Sequence, residues 1–183
     1  MDIGAEHYRR FLDGDDGGLA DIVIAYRDGL ILFLNTYVAD MAAAEDLAED
    51  TFFRLAVKKP HFRQQYSFKT FLYTIGRNLA LNYLKRSHRK NISISEVPDS
   101  PDLRQLEEVY IINERKKQLH SAMKKINPDY SRILWLTYFE GFSNGESAAA
   151  LGKTVRQIEN LLYRAKHSLK TELEKEGFTY ENL

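Results

Sequence analysis

An all-α fold is predicted for this 183-residue chain from three observations. Apolar residues recur three and four positions apart along almost the whole sequence, the period of an amphipathic helix. Alternating runs of β-branched and aromatic residues, which would mark strands, are scarce. The chain has only ten glycines and four prolines to punctuate it. The length suits two small helical domains, each with its own core, joined by a flexible linker.

The elements follow in order. A first helix carries Tyr8, Phe11 and Leu12 and stops at the glycine cluster of residues 14–18. A second runs from about Leu19 through Ile22, Val23, Tyr26, Leu30, Phe33, Leu34 and Tyr37; both read as packing helices. From Ala44 to Leu55 the first turns are acidic and the later ones basic. That order complements the helix dipole, and it equally suits an acidic docking face for a basic partner. Pro60 ends this helix and Ser67 is placed to cap the next, which leaves a loop between them. The helix from Phe68 to about Arg86 sets Phe68, Phe71, Leu72, Ile75, Leu79 and Tyr83 at core spacing. Its polar side carries Lys69, Tyr73, Arg77, Asn78, Asn82, Lys85 and Arg86.

Periodicity disappears between Ser87 and Leu103, where two prolines exclude a continuous helix. The boundary is placed here: a domain of residues 1–90, a linker of residues 91–105 and a domain of residues 106–183. Leu106, Val109 and Ile112, continuing toward Leu119 and Met123, mark the next helix, and Asn127-Pro128 is a cap followed by a first-turn proline. Ser143 to Glu146 and Thr154 to Gln157 are capping boxes, with Gly152 at a left-handed helix end between them. Two caps so close define two helices with a tight turn. The second helix places Val155, Ile158, Leu162, Ala165 and Leu169 on one face. Arg156, Gln157, Glu159, Asn160, Tyr163, Arg164 and Lys166 lie mostly on the other. This is a helix-turn-helix pattern, whose second helix would enter a DNA major groove; Arg156 and Asn160 suit base edges.

Charge is strongly segregated although the formal net charge is zero. Residues 1–50 hold twelve acids against three bases, whereas residues 51–95 hold ten Lys or Arg, no acid, and eight Phe or Tyr. An ordinary solvated helix mixes both signs to gain pairs three or four residues apart. Cations interleaved with rings suit single-stranded nucleic acid, because cations track phosphates and rings accept unstacked bases. In the loop, His61, Phe62, Arg63, Gln64, Gln65 and Tyr66 bring cations, amides and aromatics together. Phe62 and Tyr66 are the candidates for ring contacts, with anchoring of the loop in the core as the alternative for Phe62.

Other chemistries find little support. There is no cysteine, hence no disulfide, thiolate zinc site or cysteine nucleophile. The five histidines, His7, His61, His88, His120 and His167, are scattered without metal-ligand spacing, and no glycine-rich phosphate loop occurs. No enzyme, metal or cofactor is expected. No basic start with an apolar run opens the chain and no apolar segment reaches spanning length, so no membrane insertion and a cytoplasmic location are expected.

Glu45-Asp-Leu-Ala-Glu-Asp-Thr-Phe52, Phe68-Lys-Thr-Phe-Leu-Tyr-Thr-Ile-Gly-Arg-Asn-Leu-Ala-Leu-Asn-Tyr-Leu84, Tyr138-Phe-Glu-Gly-Phe-Ser143 and Tyr163-Arg-Ala-Lys166 carry a resemblance covering nearly the whole chain. It resembles the bacterial RNA polymerase sigma factors of the sigma-70 family, specifically the two-domain extracytoplasmic function group. The resemblance implies a core-polymerase-binding helix with Asp46, Leu47, Glu49, Asp50 and Phe53. It implies minus-10 recognition and melting by the loop and helix bearing His61, Phe62, Arg63, Gln64, Gln65, Tyr66, Lys69, Tyr73, Arg77, Asn78, Asn82 and Arg86. Minus-35 recognition falls to Thr154, Arg156, Gln157, Glu159, Asn160, Tyr163, Arg164 and Lys166. The implied partners are core RNA polymerase and promoter DNA, both duplex and melted, with an anti-sigma factor as a further candidate. Two departures stand out: position 71 is Phe where the family commonly has Trp, and the recognition helix has Glu159 and Leu161 where a basic residue often occupies one of these two positions. The alternative, a stand-alone helix-turn-helix regulator, would normally dimerise on paired half-sites and leaves residues 51–95 without a purpose.

Overall fold

The computed structural model describes residues 2–91, 114–175 and 177, and the described residues contain helices and no strand. The predicted linker and the segment bearing Leu106, Val109 and Ile112 fall largely or wholly outside them. Four helices form the N-terminal half: α1 (Ile3–Leu12), α2 (Gly17–Val38), α3 (Met41–Lys58) and α4 (Phe68–Asn91). α4 runs past the expected end near Arg86. Four more follow: α5 (Glu114–Lys125), α6 (Pro128–Leu134), α7 (Asn144–Leu151) and α8 (Val155–Lys175).

Local signals account for most ends. Asp40 caps α3 through the Ala43 amide, and Lys59 closes it in the left-handed region. Asn127 caps α6 ahead of Pro128. At Ser143 the reciprocal box forms with Glu146. Thr154 and Gln157 make the second box, with the Thr154 amide donating to Gln157 Oε1 at 2.8 Å and the Gln157 amide to Thr154 Oγ1 at 3.2 Å. A capping side chain of this kind stabilises by about 1 kcal/mol. One feature had no local signal: α6 continues into a π-helical turn, Trp135–Phe139, where the Glu140 amide reaches back to the Trp135 carbonyl.

The start of α4 carries the expected Ser67 cap and a second one from outside the segment. Ser67 Oγ lies 3.4 Å from the Thr70 amide, a weak contact, while the Phe68 amide donates to Asp2 Oδ2 at 2.6 Å. The other Asp2 oxygen accepts from Ala5 and caps α1. One carboxylate thus holds two helix starts that lie far apart in sequence. Beneath it, fully buried Phe68 gathers Tyr8, Tyr26, Phe62 and Phe71.

The two halves pack against each other along α4. Glu140, at the end of the π turn, pairs with Lys69 at 2.6 Å, and Lys69 also donates to the Glu140 carbonyl at 2.9 Å. Glu146 accepts from Ser67 Oγ at 2.6 Å while keeping its place in the α7 cap. Partial burial pushes the Glu146 carboxyl up, but donation from Ser67, Ser143 and Thr70 outweighs it and holds the group below the usual carboxylate range. Tyr73 packs on Phe142, and Arg132 donates to the Thr36 carbonyl while lying over the Tyr37 ring at 4.0 Å. Gly29 in mid-α2 is needed here: a Cβ would stand 2.6 Å from a Glu140 oxygen and 2.7 Å from the Tyr73 hydroxyl.

Candidate polymerase and nucleic-acid interfaces

The acidic helix α3 turns Asp46, Glu49, Asp50 and Phe53 outward, three and four residues apart, and Val57 extends the line. Phe53 is 67% exposed, which is costly for a ring without a partner and suits a face that is covered by another protein. Leu47 does not belong to this face. It is buried in the core between α3 and its neighbours, so its assignment to the polymerase contact is corrected: the same helical period that lines up 46, 49, 50 and 53 sends 47 inward.

The loop after α3 leaves His61, Arg63, Gln64, Gln65 and Tyr66 exposed. Gln64 has a φ of 31°, which is uncommon for a side chain other than glycine and turns the loop sharply. Phe62 takes the second of its two roles. Its ring packs edge-on against Phe68 at 5.6 Å and tilted against Phe71 at 5.3 Å, so it anchors the loop, while its remaining surface lines the cleft beside α1. Phe71, where the family commonly has Trp, is part of the same aromatic cluster.

The polar side predicted for α4 divides in two. Asn78, Asn82 and Arg86 are exposed. Tyr73 is fully buried against Phe33 and Phe142 and is corrected from a DNA contact to a core residue in this arrangement. Lys69 is engaged by Glu140, and Arg77 lies against Gly152, where a Cβ would sit 3.0 Å from its guanidinium nitrogens. Local periodicity placed these three on a polar face; the other half of the chain covers it.

The helix-turn-helix is built as expected. α7 is closed by Gly152 with φ of 61°, and α8 begins three residues later at Val155. Ile158, Ala165 and Leu173 bury its inner face, with Leu162 and Leu169 partly covered, while Val155 is exposed. Arg156, Glu159, Asn160, Tyr163, Arg164 and Lys166 all face outward. Thr154 and Gln157 are also exposed, but their side chains are committed to each other's backbone, which leaves only part of the Gln157 amide for base contact. Lys166 sits over the Tyr138 ring at 5.6 Å. Among the described residues no group of three metal-ligating side chains occurs, and no helix is long and apolar enough to cross a membrane.

Fold and surfaces together define an all-helical protein with a helix-turn-helix in its C-terminal half and an exposed acidic helix face in its N-terminal half. Residues 22–90 match the family described as Sigma-70 region 2, and residues 116–169 match Sigma-70, region 4. The chain is 29% identical over 147 residues to the ECF RNA polymerase sigma factor BldN of Streptomyces coelicolor, covering 79% of this chain and 56% of BldN. It is 26% identical over 160 residues to the RNA polymerase sigma factor YlaC of Bacillus subtilis, covering 86% of this chain and 92% of YlaC. Among solved structures its fold is similar to the sigma factor RpoE in complex with the anti-sigma factor NepR from Bartonella quintana. That match has a TM-score of 0.65 and 22% identity, over 85% of this chain and 96% of RpoE. CnrH, solved in complex with the cytosolic domain of CnrY, matches with a TM-score of 0.62 and 20% identity, over 94% and 96% of the two chains. The chain belongs to the sigma-70 family of RNA polymerase sigma factors, in its extracytoplasmic function group. It is a transcription initiation factor, and the stand-alone regulator is set aside.

Proposed function

We propose that this chain binds core RNA polymerase through Asp46, Glu49, Asp50 and Phe53 of α3, opens the minus-10 element with the loop of residues 61–67 and α4, and reads the minus-35 element with α8. The observation that carries this reading is the fate of the acid-free basic stretch. Its loop is exposed and anchored on one side by Phe62, with Arg63, Gln64, Gln65 and Tyr66 free to meet an unstacked base and its phosphate. Unstacking a base costs a few kcal/mol, and one aromatic ring returns about 1 to 3 kcal/mol, so Tyr66 needs help from the polar side chains. In duplex recognition, Arg156 and Asn160 would supply base contacts and Arg164 and Lys166 backbone contacts. Engagement of Lys69 and Arg77 by DNA requires the two halves to part, because the packed arrangement covers them.

The reading assigns the chain no catalysis and no cofactor, and places it in the cytoplasm with the polymerase. RpoE was solved with the anti-sigma factor NepR; a protein of that class is the further partner here. The test is reconstitution with core polymerase on genomic fragments, mapping transcript starts. Starts downstream of a shared pair of upstream elements are expected. A folded chain that supports no initiation on any fragment would overturn the proposal.

A further inference from the structure

The chain's first helix, which sequence periodicity presents only as a packing element, stands across from the candidate capture loop. Two long-range hydrogen bonds fix it there. Asp2 takes the Phe68 amide at the loop's far end, and the Tyr8 hydroxyl donates to the Pro60 carbonyl at its near end at 2.8 Å. Burial pushes the Tyr8 phenol up to about 12, so it stays a donor throughout the physiological range. Between these two ties lies an open cleft of about 680 Å³. Glu6, Arg9 and Leu12 of α1 form one wall, and Gln64, Gln65 and Tyr66 of the loop form the other. A space of this size accepts a small planar group readily.

The chemistry of the α1 wall is specific. One guanidinium nitrogen of Arg9 holds both Glu6 oxygens, at 2.6 and 2.7 Å, an exposed pair that orients the carboxylate beside the cleft and leaves lone pairs on it. Glu6 and Arg9 neutralise each other, so the pair offers a phosphate little net attraction. A neutral base needs none, and its exocyclic amino group would find an acceptor in Glu6, as the cytosine amino group does in carboxylates in duplex readout. Thymine has no amino group to offer. We infer that Glu6 is a specificity-determining residue of the base-capture cleft, selecting a flipped base that carries an exocyclic amino group, with Arg9 positioning it. The inference rests on the capture reading of the loop proposed above.

The experiment measures open-complex formation by the full chain with core polymerase. Its promoters carry each of the four bases at every non-template position of the minus-10 region. The wild type should disfavour thymine at one position. Glu6→Gln, whose amide donates as well as accepts, should reduce that discrimination roughly tenfold while leaving core binding unchanged. The swapped pair Glu6→Arg with Arg9→Glu separates base reading from mere helix support: it restores the ion pair and the melting temperature, yet should not restore the wild-type preference. A parallel arm replaces Arg63, Gln64 and Gln65 by Ala. If that variant loses melting while Glu6→Gln keeps the wild-type preference at every position, the α1 assignment is wrong and the capture loop stands. If neither variant changes melting or preference, both fail.

Discussion

Replacing Glu140 by Gln should loosen the seam between the two halves of the chain. The Lys69 to Glu140 pair is short, and Glu140 is almost wholly buried while the Lys69 side chain is 27% exposed. Exposed pairs contribute about 0 to 1 kcal/mol, and removing one partner of a fully buried pair costs about 3 to 5 kcal/mol. The intermediate burial here, with the hydrogen bond from Lys69 to the Glu140 carbonyl retained in the variant, sets the loss at about 2 kcal/mol. That is roughly a 30-fold shift from packed toward parted halves. If the packed form dominates in the free chain, apparent affinity for a single-stranded minus-10 oligonucleotide should rise by the same factor, because affinity scales with the competent fraction. Fluorescence anisotropy measures this directly. The chain has no cysteine, so Ile24→Cys and His167→Cys, both at exposed positions, admit a dye pair that reports the separation independently. Gly29→Ala should act in the same direction, since its methyl group meets Glu140 and the Tyr73 hydroxyl, even though Ala favours the helix itself. Unchanged oligonucleotide affinity and unchanged dye separation in both variants would refute the argument that these contacts cover the α4 face.

Other outcomes follow from the same structure. Asp46→Lys, on the exposed face of α3, should weaken core-polymerase binding without lowering the melting temperature; unchanged affinity of the folded variant would remove this face from the interface. Arg156→Ala should relax preference at one base pair of the upstream element, a loss of about 1 to 3 kcal/mol of discrimination, as measured by selection from a random promoter library. Lys166→Ala should instead weaken binding evenly and lower its salt dependence. Alanine at Arg63, Gln64 and Gln65 together should slow melting of duplex promoters, with partial rescue on a template opened by mismatches. The Glu146 carboxyl is held below its ordinary range in the folded chain, so its support for the seam is complete above that range and is lost as pH falls through the depressed value. Dye separation should therefore be flat at neutral pH and increase only in acid.

The sequence by itself determined most of what acts over one turn of helix, the π turn at Trp135–Phe139 excepted. Ser143 with Glu146 and Thr154 with Gln157 satisfy amides three residues apart, and Asn127 accepts from the Asp129 amide just past Pro128, so their spacing was sufficient evidence for the starts of α6, α7 and α8. Charge segregation was legible for the same reason: it is a property of neighbours along the chain, and it singled out residues 51–95, which include the loop, while helical period gave the outward side of α8. The tertiary structure decided everything that joins distant residues. Asp2 reaches Phe68 across 66 positions, Lys69 reaches Glu140 across 71, and Arg132 reaches Thr36 across 96. No local pattern announces such pairs, because each partner taken alone reads as an ordinary cap or a solvated charge. Periodicity likewise named a polar side of α4 but did not say that Phe142 and Glu140 would cover Tyr73 and Lys69. A helix has one hydrophobic period, and only packing reveals how many neighbours bury its faces. For the same reason α1, which looks from its own residues like a packing helix, becomes a wall of the cleft beside the loop only when Asp2 and Tyr8 tie it across the loop.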